Sequence, residues 1–189
     1  MVRVTTLSLV RHGESTWNVA ALLQGHNDEA RLTDLGRDQV RATATSLRDA
    51  GAVGIVSSDL ARTRESAEVI AEVLGLPVSL DAGLRERNLG VFEGRPASEL
   101  DPLLIGVRDG VIVDTEAATP GGETVTAFAR RAQAAVERIA NAYPDQHVIV
   151  VTHGGVFRVL RALESGSLLG AAWFAVANAA LYELRVPAP

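Results

Sequence analysis

Two short apolar runs, residues 4–10 and 147–151, each stop almost at once at a histidine followed by glycine, His12-Gly13 and His153-Gly154. Both runs are rich in β-branched residues and too short for buried helices, so the pattern predicts strands. Residues 54–57, 78–80 and 181–186 are predicted as further strands. Helices are expected between them. One spans residues 32–50, with Thr33 as N-cap and Gly51 as C-cap, and one opens at Ser58-Asp59-Leu60 and runs to Leu74, ended by Gly75 and Pro77. A third covers residues 123–143, with Val125, Phe128, Ala132, Val136 and Ile139 on one stripe, and a fourth covers residues 157–163. Strands alternating with helices predict an α/β fold with a mostly parallel sheet. In such sheets ligands bind beyond the carboxyl ends of the strands, so His12 and His153 are expected to meet although 141 positions separate them.

A chain of 189 residues suits a single domain, here 1–189. The residues it lacks narrow the chemistry further. There is no cysteine, and all 18 basic residues of the Lys+Arg class are arginine. That removes thiolate nucleophiles, disulfides, Schiff bases and the lysine phosphate loop. Any phosphate must be held by arginine, histidine or backbone N–H. The net charge of −5 argues against a broad electrostatic grip on nucleic acid and toward a small substrate. No run approaches the length of a membrane span, and no cleavable leader is evident, so a cytoplasmic protein is expected. The four histidines show no metal-ligand spacing, and neither a metal nor another cofactor is expected.

The motifs in order now carry a resemblance. Arg11-His12-Gly13-Glu14-Ser15-Thr16-Trp17-Asn18, then Ser57-Ser58-Asp59-Leu60-Ala61-Arg62-Thr63, then Leu84-Arg85-Glu86 with Gly90 and Glu93-Gly94, and last Thr152-His153-Gly154-Gly155 resemble the signature segments of the histidine phosphatase superfamily, the phosphoglycerate mutase-like family. The resemblance implies a three-layer α/β/α sandwich. It also implies that His12 is the nucleophile that forms a phosphohistidine, that Arg11, Arg62 and a protonated His153 hold the phosphoryl group, and that Glu86 protonates the leaving oxygen. A phosphate dianion beside Glu86 favours its neutral form by like-charge repulsion.

Weaker candidates surround these. Asn18 and Gln24 stand where the family places polar contacts to phosphate or substrate, with capping as the structural alternative, and Gly154 offers a backbone N–H. Thr124 either reaches the pocket mouth or caps the long helix. His26 is placed to reach the site from its loop, His147 reads as surface structure, and Trp17 and Phe92 read as core or pocket wall.

Within the family, Leu89 occupies the place where cofactor-dependent mutases carry tyrosine. Only 26 residues separate Gly94 from Gly121, with Arg95 and Arg108 as their only basic residues. Both departures favour the phosphatase branch: a metal-independent phosphomonoesterase of the histidine acid phosphatase type, acting on a small phosphorylated metabolite. The alternatives are a cofactor-dependent phosphoglycerate mutase and a non-catalytic phospholigand-binding protein on the same fold. Specificity is assigned to a loop-rich excursion at residues 95–119. Its acids Asp101, Asp109, Asp114 and Glu116 predict a substrate whose non-phosphate part is neutral or weakly charged. The chain is expected to be a monomer or a homodimer, with an edge at residues 181–186 able to pair.

Overall fold

The computed structural model describes residues 3–188. In chain order the elements are β1 (Arg3–Arg11), α1 (Thr16–Val19), α2 (Asp34–Ser46), β2 (Ala52–Ser57), α3 (Ala61–Leu74) and β3 (Val78–Leu80). Four short 3-10 turns follow, then β4 (Val107–Arg108), β5 (Val111–Ile112), α4 (Val125–Ala142), β6 (His147–Thr152), α5 (Gly154–Glu164) and β7 (Leu181–Ala188). The main sheet has the order β3-β2-β6-β1-β7, parallel except for β7, which lies antiparallel against β1 at the edge.

Strand β6 explains the layering. Its side chains alternate, so Val148 and Val150 join a core with Phe128 and Ala132 of α4 and Phe157 and Leu160 of α5. Ile149 and Val151 face the other way, against Val40 and Ala44 of α2 and Ala67 and Ile70 of α3. A strand covered on both faces needs a continuous apolar sequence, which Val148-Ile149-Val150-Val151 supplies. Burying each such side chain is worth about 1.5–3 kcal/mol. The fold is therefore the α/β/α sandwich that the motifs implied. Among the described residues no helix is long and apolar enough to cross a membrane.

Several boundaries differ from the sequence reading. Helix α2 ends at Ser46, with Leu47 rather than Gly51 in the cap position. The Thr45 hydroxyl donates to the Arg41 carbonyl and the Ser46 hydroxyl to the Thr43 carbonyl, and such local bonds compete with the helical ladder. Ser58 and Asp59 do not cap α3, whose N-cap is Leu60 with no side-chain bond. Asp59 is instead held by Arg85, with Nε 2.6 Å and Nη2 2.5 Å from its two oxygens. Helix α5 begins at Gly154, with His153 at its N-cap, rather than at residue 157. The excursion is also more ordered than predicted. Asp109 and Gly110 both take positive φ, 50° and 74°, and close a hairpin between β4 and β5. This hairpin is tied to a later segment by bonds from the Ile112 N–H to the Ala171 carbonyl (2.9 Å) and from the Trp173 N–H to the Gly110 carbonyl (2.7 Å).

Candidate active site

Register alone brings the two histidines together. Strands β1 and β6 are parallel neighbours with Arg11 opposite Thr152, so His12 and His153 are each one residue past the paired ends. The His12 N–H donates to the Thr152 carbonyl at 3.0 Å, and the two rings lie 5.4 Å apart at 62°. Strand β2 flanks β6 on its other side, and the Ser58 N–H donates to the Val151 carbonyl at 2.9 Å. Three strand ends thus converge on one spot.

His12 is almost fully buried. Its Nδ1 lies 2.8 Å from the Gly13 carbonyl, which can only accept, so Nδ1 carries the proton and Nε2 keeps its lone pair. Glycine is required at 13 because a Cβ there would stand 2.2 Å from the Gly36 carbonyl oxygen. Burial holds the His12 pKa well below the ordinary imidazole range, with Arg62 and Arg11 adding to the shift and the Gly13 carbonyl opposing it. His153, completely buried, is depressed in the same way by burial first and then by Arg62, His12 and Arg11. A dry site beside two guanidinium groups disfavours a third cation, which runs against the protonated ring expected at His153 from sequence.

The two arginines are anchored from behind. Arg62, buried at the start of α3, donates from Nη1 to the Asn27 carbonyl (3.0 Å) and from Nη2 to the Gly25 carbonyl (2.9 Å). Its pKa is lowered to about 10 by burial, offset chiefly by Glu86, so it stays charged at neutral pH. Arg11 donates from Nη1 to the Val176 carbonyl. Among the described residues, the buried side-chain polar atoms without any partner are Arg11 Nε, Arg62 Nε and His153 Nδ1. Leaving a buried donor or acceptor unpaired costs about 1–3 kcal/mol. Three such atoms in residues grouped around His12 describe an anion hole.

Glu86 faces the same pocket. Its Oε1 accepts from the Arg87 N–H (2.8 Å) and its Oε2 from the Gly155 N–H (3.0 Å) at the first turn of α5. Glycine at 155 is what admits the carboxylate, since a Cβ there would lie 2.0 Å from Glu86 Oε1. Behind Glu86 its carbonyl receives Nε2 of His26 (2.8 Å) and Nη2 of Arg131 (3.0 Å). His26 thus braces the Glu86 backbone.

The pocket, about 260 Å³, is lined by Arg11, His12, Gln24, Arg62 and Glu86. His153 is not part of the lining but stands edge-on to the His12 ring, and Gly154 lies against Arg11, where a Cβ would stand 3.5 Å from Arg11 Nε. Asn18 is placed otherwise. Its Oδ1 accepts from the Ser15 N–H (3.1 Å), the Ser15 hydroxyl (3.0 Å) and Asn178 (3.1 Å), so it closes the capping box of α1 instead of lining the pocket. Thr124 caps α4 through the Ala127 N–H. His147 bonds Ala50 and Ser8 well away from the site.

Sequence reasoning missed much of the wall: Leu22, Leu23, Leu100, Ile105, Arg87, Arg158 and Trp173. Arg158 carries its guanidinium 4.4 Å from the Trp173 ring centroid and donates from Nε to the Phe174 carbonyl. One signal was available: a helix begun at Gly154 places Arg158 one turn later on the same face. The excursion supplies Leu100 and Ile105 to the wall, but its four acids do not line the pocket. Asp101 caps the Leu103 N–H, Asp114 the Glu116 N–H, and Glu116 accepts from Thr126. The expected neutral substrate loses its basis, since the wall is cationic and apolar with Glu86 as its acid.

Two measurable consequences follow from these contacts. Arg87, nearly buried, donates to the carbonyls of Glu123 (2.9 Å), Ile105 (2.9 Å) and Ala117 (2.6 Å), strapping the excursion to the domain. Arg87→Met is expected to cost about 2–4 kcal/mol in urea unfolding and to speed amide exchange at 95–119 selectively. Unchanged exchange there would show that the strap is dispensable. The second concerns pH. His12 and His153 have native pKa values depressed below 6.5, so an unfolded chain binds protons that the native one does not. Stability is therefore expected to fall as pH drops below 6.5 toward the native values, read as a lower urea midpoint at about pH 5 than at about pH 7. His153→Gln should flatten that dependence.

Comparison with known proteins gives a consistent context. The model of the histidine phosphatase superfamily (branch 1) matches residues 7–188. A relative named probable phosphoglycerate mutase GpmB from Yersinia pestis (strain Pestoides F) is 40% identical over 147 residues, covering 77% of this chain and 68% of the relative. Among solved structures, mycobacterial glucosyl-3-phosphoglycerate phosphatase superposes with a TM-score of 0.82 at 32% identity, covering 97% of this chain and 91% of that one. Bacillus stearothermophilus YhfR superposes with a TM-score of 0.82 at 28% identity, covering 95% and 90%.

Proposed function

The chain belongs to the histidine phosphatase superfamily (branch 1), and from that premise we propose that it hydrolyses a small phosphomonoester through a phosphohistidine on His12. The observation that carries this reading is the trio of unpartnered nitrogens, Arg11 Nε, Arg62 Nε and His153 Nδ1, in residues grouped around a histidine with a bare Nε2. The phosphoryl group spreads charge over its equatorial oxygens in the transition state, and fixed donors meet that charge without reorganising.

Nε2 of His12 attacks phosphorus while the ester P–O bond breaks, and Glu86 gives its proton to the leaving oxygen. Water then attacks phosphorus as the P–N bond breaks and returns its electron pair to His12 Nε2, Glu86 takes the water proton, and inorganic phosphate leaves. Each Glu86 oxygen accepts one N–H and keeps a second lone pair for the proton transfers proposed. The described residues bring together no group of three or more His, Cys, Asp or Glu able to hold a metal ion.

The mutase reading draws on the name of the Yersinia relative. Against it, the pocket wall presents Leu89, while the basic residues of the excursion lie elsewhere, Arg95 over the Phe92 ring and Arg108 exposed in the hairpin. Hydrolysis of p-nitrophenyl phosphate in the presence of EDTA tests the proposal. Activity that survives the chelator supports it. Conversion of 3- to 2-phosphoglycerate dependent on 2,3-bisphosphoglycerate, with no hydrolysis, would replace it with the mutase.

A further inference from the structure

Ser58 is buried at the end of β2 and was expected from sequence only to open a helix. Its Oγ lies 2.9 Å from Nε2 of His153, and the Leu60 N–H approaches the same oxygen at 3.5 Å. A hydroxyl has one proton to give and two lone pairs to receive with. The Leu60 N–H occupies a lone pair. Among the described residues, His153 Nε2 is then the one acceptor within reach of the Ser58 proton. If Nε2 carried its own hydrogen, the Ser58 hydroxyl would be stranded in a site sealed from solvent, at a cost of about 1–3 kcal/mol, whereas a proton on Nδ1 leaves the open donor where a phosphoryl oxygen can take it.

From this accounting we propose that Ser58 is the positioning residue that fixes the tautomer of His153, placing its proton on Nδ1. The consequence lies at the other edge of the ring. Nδ1 is the buried atom without a partner, in the ring that stands beside His12. With the proton there, neutral His153 presents an N–H to a phosphoryl oxygen. With the other tautomer it presents a lone pair, which repels the same oxygen. Ser58 therefore sets the sign of the interaction. A neutral histidine donates to the anion without a third cation in a pocket that already holds Arg11 and Arg62. The inference rests on the anion-hole reading of the site.

The test begins with the unaltered protein, labelled with 15N histidine and saturated with inorganic phosphate; its four histidines make assignment tractable, and His153→Asn identifies the relevant signals. Nδ1 is expected to give a protonated, pyrrole-type resonance and Nε2 a bare, pyridine-type one. In Ser58→Ala the two forms should mix. The kcat for p-nitrophenyl phosphate should fall by about 10–100-fold, the scale on which groups that orient an active-site histidine act. Its KM should change less. A protonated Nε2 in the unaltered protein overturns the proposal, and so does a folded Ser58→Ala enzyme that keeps its kcat within about twofold. Should Ser58→Ala fail to fold, the tautomer of the unaltered protein decides the matter alone. Absence of turnover in the unaltered protein overturns the phosphatase reading instead, and the tautomer measurement still judges Ser58.

Discussion

A His12→Ala protein is expected to lose at least about a thousandfold in turnover of any phosphomonoester, because removing a covalent nucleophile leaves only binding and electrostatics to act. The same protein is expected to retain affinity for inorganic phosphate. Arg11 and Arg62 are anchored by the Val176, Asn27 and Gly25 carbonyls, none of which depends on the His12 ring. The two readouts therefore separate, with turnover collapsing while phosphate, followed by calorimetry, still binds. Rapid acid-free quenching of the unaltered enzyme with a labelled ester should trap a phosphoenzyme that His12→Ala lacks. Substantial residual turnover in that variant would move the nucleophile elsewhere, and His153 would be the first place to look. Its Nε2 is already taken up by Ser58, so the geometry favours His12.

What could be read from the sequence divides along physical lines. Strand ends were legible because β-branched runs announce strands and a parallel sheet gathers their carboxyl ends, so His12 and His153 met as expected. Arg62 and Glu86 were not legible from periodicity at all. Arg62 sits on the first turn of α3 and Glu86 on an irregular segment, and each was placed by motif resemblance. Asp59 was misread because cap-type residues serve tertiary contacts as readily as helix ends, and here Arg85 claims the carboxylate. The pocket wall was hidden for a different reason. Leu22, Leu100, Ile105 and Trp173 come from loops with no period to reveal which face is inward. The acids of the excursion were visible as charges but not as directions. A carboxylate that caps its own turn, as Asp101 and Asp114 do, says nothing about the substrate.

The role of Glu86 leads to a prediction that no purely structural residue would satisfy. Glu86→Gln keeps the shape of the side chain but cannot release a proton. Its amide oxygen can still accept from the Gly155 or the Arg87 N–H, so the fold around α5 is expected to persist. The cost to catalysis should then depend on the leaving group. p-Nitrophenolate departs without protonation, whereas the alkoxide of glycerol phosphate is a poor leaving group that needs the proton. General acid catalysis is typically worth about 10²–10⁴-fold. Loss of that order is expected for glycerol phosphate and a much smaller loss for p-nitrophenyl phosphate in phosphoenzyme formation, measured in a single turnover before the water step intervenes. An equal loss on both esters would mean that Glu86 acts by holding the site through Gly155 rather than by moving a proton. Full activity on both would hand the acid role to another group, and among the described residues the wall of the pocket offers no other carboxylate to take it.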